Sequence, residues 1–258
     1  MAWSSDGKTW NAVPDSKFDG YQIFGIAWGN GKFVAGGGVG TMAWSPDGIT
    51  WTAVTDSKFD GECINCIAWG NNKFVAGGDN GAMAYSSDGK TWIAVANSKF
   101  GTSDICGIAW GNNKFVAGDW DGKMAWSSDG ITWNAVTDSK FDGWWIDSIT
   151  WGNNMFVAVG DYGTMAYSQD GINWTAVPDS KFGTNNIFGT HDILSIAWGN
   201  NKFVVVGEEG TIAYSTDGKT WTIVPDSIFG TDWIWGIAWG NNMFVAGGDN
   251  GKMVYSGN

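Results

Sequence analysis

The stretch "SSDGKTW", Ser4–Trp10, decides the fold, because it returns at a nearly fixed interval. It recurs as "SPDGITW" (45–51), "SSDGKTW" (86–92), "SSDGITW" (127–133), "SQDGINW" (168–174) and "STDGKTW" (215–221). Six copies of one acidic turn mark out six units: 1–41, 42–82, 83–123, 124–164, 165–211 and 212–252. A closing tail, "MVYSGN", occupies 253–258. Five units have 41 residues and the fifth has 47. Self-similarity at this period marks stacked supersecondary units, so 1–258 reads as a single repeat-built domain.

The second unit shows the local pattern. "MAWS" (42–45) alternates and runs into the turn Pro46-Asp47-Gly48. "ITWTAV" (49–54) alternates again with β-branched and aromatic residues. A longer connection, "TDSKFDGEC", leads to a third strand, "INCIAW" (64–69); "GNN" turns that into "KFVAGG" (73–78). The turn "DNG" then enters "MAYS" of the next unit. Asp-Gly and Asn-Gly between alternating runs are hairpin signals, since both central residues reach positive φ at low cost. No helical period appears. Six four-stranded antiparallel units predict an all-β chain, a six-bladed β-propeller; a linear β-solenoid is the alternative.

With these residues in view, "S-x-D-G-x-T-W" resembles the Asp-box, or BNR, repeat of sialidase-type propellers. The likeness covers all six units, with one residue fewer between Asp and Gly than the usual box. The resemblance implies that the box joins the third and outermost strands, that "IAW" is innermost, and that "TW" leads the outermost strand. It also implies that residues 8–13 supply the outermost strand of blade six, so that N- and C-terminal strands share one blade. Residues 1–4 and 253–256 then compete for one third-strand position, and the loser is a spare strand through which a second molecule could join.

Composition narrows function. The net charge is −12; there are fourteen basic residues, all Lys, and no Arg. No basic surface is available to neutralise phosphates, which argues against nucleic acid, and anionic membrane surfaces are disfavoured for the same reason. No run of about 18 apolar residues predicts a membrane span. No signal peptide is visible, and the compartment stays open, including an extracellular one for a chain whose leader has been removed. The sialidase arginine triad is missing, as is the basic patch of the Photosystem II assembly factors that share this repeat. Glu62, Glu208 and Glu209 are the only glutamates and His191 the only histidine, none in a repeated acid–base setting. No catalytic residue, cofactor or metal is therefore assigned. Cys63, Cys66 and Cys106 make no disulfide framework, and Cys63-x-x-Cys66 reads as small side chains approaching an inner strand. Asp119-Trp120-Asp121-Gly122 is too short for a calcium loop, and the sequon at Asn173 lies inside a box.

The box aspartates Asp6, Asp47, Asp88, Asp129, Asp170 and Asp217 read as acceptors for N–H groups of their own turns. The box tryptophans Trp10, Trp51, Trp92, Trp133, Trp174 and Trp221 read as packing between sheets. Functional residues are sought where the copies disagree. Fifteen of twenty tryptophans occupy repeated sites; Trp120, Trp144, Trp145, Trp233 and Trp235 do not. These five fall in two zones, the approach to the inner strand and the turn between second and third strands. The first zone includes the expansion of unit five, within "GTNNIFGTHDIL". Both zones are expected on one face, giving a candidate surface of Tyr21, Trp120, Asp121, Trp144, Trp145, Tyr162, Glu208, Glu209 and Trp233. Aromatic rings beside carboxylates suit a carbohydrate in a lectin-like module, or a protein partner on an interaction scaffold. An array amplified recently, or engineered, without a selected ligand is a third reading. A competing model places repeated sites on "DSKF", as at Asp15, Lys17 and Phe18 and at Asp56, Lys58 and Phe59, although that segment also reads as a crossover pinned by Phe.

Overall fold

In a computed structural model of the chain, which describes residues 1–177, 191–225 and 227–256, the protein is a six-bladed β-propeller. Blades one to five are four-stranded antiparallel sheets in up-and-down order. Blade two is representative, with strands Ile64–Gly70, Lys73–Gly78, Met83–Ser86 and Ile93–Ala94. Five single-turn 3-10 segments are the only helical structure among the described residues.

The outermost strand is much shorter than the sequence pattern predicts. Alternation over 49–54 gives a strand of only Thr52–Ala53. The box explains the shortening: Asp47 Oδ1 accepts the N–H groups of Ile49 at 2.9 Å and Thr50 at 2.7 Å. Those amides are committed to the turn and cannot join a ladder.

The repeated "WGNN" is explained by packing between blades. Asn71 and Asn72 take φ of 43° and 57°, as a tight hairpin between right-twisted strands requires. Any Cβ on Gly70 would overlap the ring of Trp110 in the next blade, and Gly29 stands in the same relation to Trp69. Each inner-strand Trp also meets the Phe after its hairpin, as in Trp69–Phe74 with centroids 4.5 Å apart. The box tryptophans wedge between blades. Trp51, Trp92, Trp133, Trp174 and Trp221 are 2–5% exposed. Trp92 sits among Val34 and Met42 of blade one and Phe74 and Ala76 of its own blade.

The termini depart from expectation. Residues 8–13 do not complete blade six. Ala2–Trp3 pairs with Asn11–Ala12 as a separate two-stranded sheet, and Trp10 is 40% exposed. Blade six has three strands, Ile234–Gly240, Met243–Gly248 and Met253–Tyr255, so 253–255 takes the third-strand position. The termini therefore do not share a blade. Local pairing explains the outcome: each strand joins its chain neighbour across a short turn, and no loop spanning the whole chain must be closed.

Candidate functional site

The two variable zones lie together on one face, as expected. In every blade a backbone hydrogen bond joins them: Gly38 N–H to Gln22, Asp79 to Cys63, Trp120 to Asp104, Asp161 to Trp145, Glu208 to Asp192 and Asp249 to Trp233. The constant turns meet on the opposite face and cross between blades. Asn30, Asn71, Asn112 and Asn153 donate from Nδ2 to box carbonyls of Ser87, Ser128, Gln169 and Thr216.

Local backbone explains the exposure of the variable turns. Val39, Asn80, Tyr162, Glu209 and Asn250 all hold φ near +50°, which points each side chain off the blade. Unit three differs. Asp119 stands where the other five units have Gly, and its Oδ1 accepts the N–H groups of Asp121 and Lys123 at 3.0 and 2.7 Å. That substitute turn projects Trp120 outward.

Four of the candidate residues come into direct contact. Trp120 of blade three stacks on Trp145 of blade four, with centroids 4.5 Å apart and planes 14° from parallel. Trp144 meets Tyr162 edge-on at 4.5 Å. All four rings are exposed, as two aromatic pairs joined in sequence at Trp144-Trp145, one bridging blades three and four and the other within blade four. Asp121 is tied up in an ion pair with Lys123 at 2.7 Å. Glu208 and Glu209 extend the surface onto blade five: Glu208 accepts the Asp192 N–H, and Glu209 lies 3.4 Å from His191. Trp233 is apart from these pairs, on blade six beside Trp235 at 5.0 Å. Tyr21 is exposed on blade one. Residues 183–190 of the unit-five expansion lie outside the described residues.

The sequence reading missed the carboxylates that adjoin Trp145 and Tyr162. The second residue of the inner strand differs in all six units: Phe24, Asn65, Cys106, Asp147, Leu194 and Trp235. In units two and six it donates to the acid of the following turn, Asn65 to Asp79 at 2.9 Å and Trp235 to Asp249 at 2.7 Å. In unit four both partners are acids, Asp147 and Asp161. Burial, then the charges of Asp161, Asp192 and Glu208, push the Asp147 carboxyl up from 3.8 to about 8. Burial and Asp192 push Asp161 upward as well. Trp145 and Tyr162 are fastened to this group, donating their N–H groups to Asp161 Oδ2 and Asp192 Oδ1 at 3.3 and 2.8 Å. The signal available in sequence was the disagreement at that one strand position.

The other sequence candidates are structural. The "DSKF" phenylalanines Phe18, Phe59, Phe100, Phe141 and Phe229 are fully buried. Lys17, Lys58 and Lys140 pair with Asp15, Asp56 and Asp138 of the same segment. Cys66 is buried and unbridged, and burial raises its thiol to about 12. No cluster of His, Cys, Asp and Glu among the described residues could hold a metal ion.

No family model matches the chain, and no curated protein does either. Solved structures match at low identity and show the fold. YCF48 bound to a D1 peptide aligns with a TM-score of 0.72 at 18% identity, covering 98% of this chain and 84% of that one. YCF48 from Cyanidioschyzon merolae aligns at 0.69 and 16% identity, covering 96% and 85%. A streptogramin B lyase aligns at 0.70 and 12% identity, covering 96% and 85%.

Proposed function

We propose that the protein is a non-catalytic binding module whose variable face takes a cationic, extended segment of a protein partner. The observation that carries this reading is the union of an exposed aromatic platform with crowded carboxylates. Trp120, Trp145, Trp144 and Tyr162 offer flat apolar area. Burial first, and then the charges of Asp161, Asp192 and Glu208, hold a proton on Asp147 near neutral pH. A Lys or Arg side chain entering there relieves that repulsion and lies against aromatic rings, two gains that reinforce each other. The net charge of −12 steers such a partner from a distance. The peptide-bound propeller among the similar folds is consistent with this use of the architecture.

A carbohydrate is the second reading, favoured by the edge-on Trp144–Tyr162 pair, which leaves ring faces open to sugar C–H groups. A panel of Lys- and Arg-bearing peptides, run beside a glycan array, separates the two. Binding of cationic peptides that weakens as salt rises supports the first reading. Glycan binding insensitive to salt replaces it with the second. Silence on both panels leaves an array without a selected ligand.

A further inference from the structure

Blades five and six enclose a cavity of about 500 Å³. Its walls include Val204 and Ile212 of blade five and Ile237, Phe244, Ala246 and Val254 of blade six. One interface earlier, the counterparts Val157, Met165, Ile196, Phe203, Val205 and Ala213 enclose the indole of Trp221. The walls change little between the two places. Val204, Ile237 and Phe244 are identities, and the gain from Ala213 to Val254 offsets the loss from Val205 to Ala246. The cavity is therefore shaped for a fused pair of aromatic rings. Trp51, Trp92, Trp133, Trp174 and Trp221 are buried between other blades, and Trp10 is exposed, so no box tryptophan occupies this seat.

Such a seat recognises shape and apolar area. Nε1 of Trp92, Trp133, Trp174 and Trp221 has no hydrogen-bond partner, so an N–H on the rings gains nothing there. Apolar cavities of this kind stay dry and take up aromatic hydrocarbons. The volume also falls within the range of small-molecule sites, about 300–1,000 Å³.

The mouth of the cavity adds polarity, because Asn200 and Lys202 also line it. The counterparts of Asn200 are Asn30, Asn71, Asn112 and Asn153. Each donates from Nδ2 to a carbonyl of the next box turn, at 3.1–3.2 Å. The counterparts of Lys202 lie against the same turns. A Cβ on Gly89 would stand 3.2 Å from Lys32 Cδ, and one on Gly218 would stand 2.9 Å from Met155 Sδ. Blade six has three strands and no box turn of its own among the described residues. Asn200 and Lys202 therefore border the place where a carbonyl oxygen accepts at the other interfaces. Lys202 is exposed, with Nζ 5.0 Å over the Tyr214 ring.

We propose that this cavity is a binding site for a small fused-ring aromatic ligand that bears a carbonyl or carboxylate oxygen. Its rings take the kind of seat that Trp221 fills one interface earlier, and its oxygen accepts from Asn200 Nδ2 and Lys202 Nζ. Burial of the ring faces supplies the affinity. The charge-assisted bond from Lys202 favours an acid over its neutral parent. An indole-carboxylate is the simplest ligand that meets both demands. The site lies between two blades and is separate from the Trp144–Trp145 surface, so it does not depend on what that surface binds.

Isothermal titration calorimetry on the full chain tests this with two probes, indole-3-acetate and neutral indole. We expect one site per chain for both, with indole-3-acetate the tighter. Lys202→Met removes the charge at a position where the repeat already accepts Met, as Met155 and Met243 show. It should weaken indole-3-acetate about fivefold, the scale of a part-exposed ion pair, and leave indole unchanged. Val254→Trp fills the cavity from its wall and should abolish binding of both probes. No heat and no rise in Tm with either probe, up to its solubility limit, overturns the proposal. Uptake at several sites per chain overturns it, as does binding that survives Val254→Trp. Equal affinity for indole-3-acetate before and after Lys202→Met also overturns it.

Discussion

Asp6 and Asp170 on the constant face and Asp147 on the variable face are bent in opposite directions. On the constant face, the amide of Thr9, then that of Lys8, then the Ser4 hydroxyl hold Asp6 down to about 2. Asp170 also reaches about 2, where the Asn173 and Ile172 amides outweigh a burial cost. On the variable face, burial and neighbouring acids push Asp147 up to about 8. The same side chain is a fastener where backbone donors converge on it and a frustrated charge where they do not. One face therefore stores stability, and the other is left with unmet electrostatic demand that a partner can satisfy.

The contrast breaks most visibly at a box tryptophan. Trp133 is 2% exposed between blades two and three. Trp133→Ala should cost about 3–5 kcal/mol by chemical denaturation, from lost burial and the cavity left behind. Its Nε1 has no hydrogen-bond partner, so Trp133→Phe should cost clearly less. Equal costs for the two variants would mean that the indole edge, and not its area, holds the blades together.

Next in size is the box aspartate. Asp88 Oδ1 accepts the Lys90 and Thr91 amides, each at 2.8 Å, and the Ser86 hydroxyl at 3.0 Å. Asp88→Ala leaves those donors unmatched and should cost about 2 kcal/mol. Asp88→Asn keeps an acceptor oxygen and should cost less. Equal losses would show that charge, not the acceptor, closes the turn.

Asp147 gives the pH signature of the other face. Its carboxyl is raised, so the folded protein holds a proton that the unfolded chain releases near 3.8. Between about pH 4 and 8 the folded state binds more protons, and stability falls as pH rises. Asp147→Asn should flatten that slope in thermal unfolding followed across the range. The box aspartates work with the opposite sign. Their stabilisation is present above the ordinary carboxylate range and is lost as pH falls toward 2. A slope that survives in Asp147→Asn would place the titrating group elsewhere.

The fold was legible because identical units must pack identically. The box, "WGNN" ("WGNG" in unit one) and "IAW" ("ITW" in unit four) recur in every unit, and each has one physical role wherever neighbouring blades pack regularly, which comparison of copies exposes. The candidate site was legible in part for the complementary reason. Trp120, Trp144, Trp145 and Tyr162 stand out as departures from the repeat, and they do meet. Asp147 was passed over because an acid in a strand looks solvated until its neighbours are known, and Asp161, Asp192 and Glu208 come from other turns and another blade. The termini were misjudged because the repeat pattern does not compare the cost of local pairing with that of closing a ring.

The smallest expected effect on stability is also the sharpest test of the contrast. Trp144 and Trp145 are exposed and stand on a turn whose backbone bonds do not involve their indoles. Changing both to Ala should alter stability by no more than about 0.5 kcal/mol per site, the usual range for surface positions. The stacking of Trp120 on Trp145 and the edge contact of Trp144 with Tyr162 are the contacts that would raise this figure. The same double variant should abolish binding of cationic peptides to the variable face. Loss of two box tryptophans should unfold the protein, whereas loss of Trp144 and Trp145 should silence it while leaving its melting curve in place. If binding survives, the aromatic platform is not the recognition surface. If the protein melts early, the platform is part of the core, and the division between the faces fails.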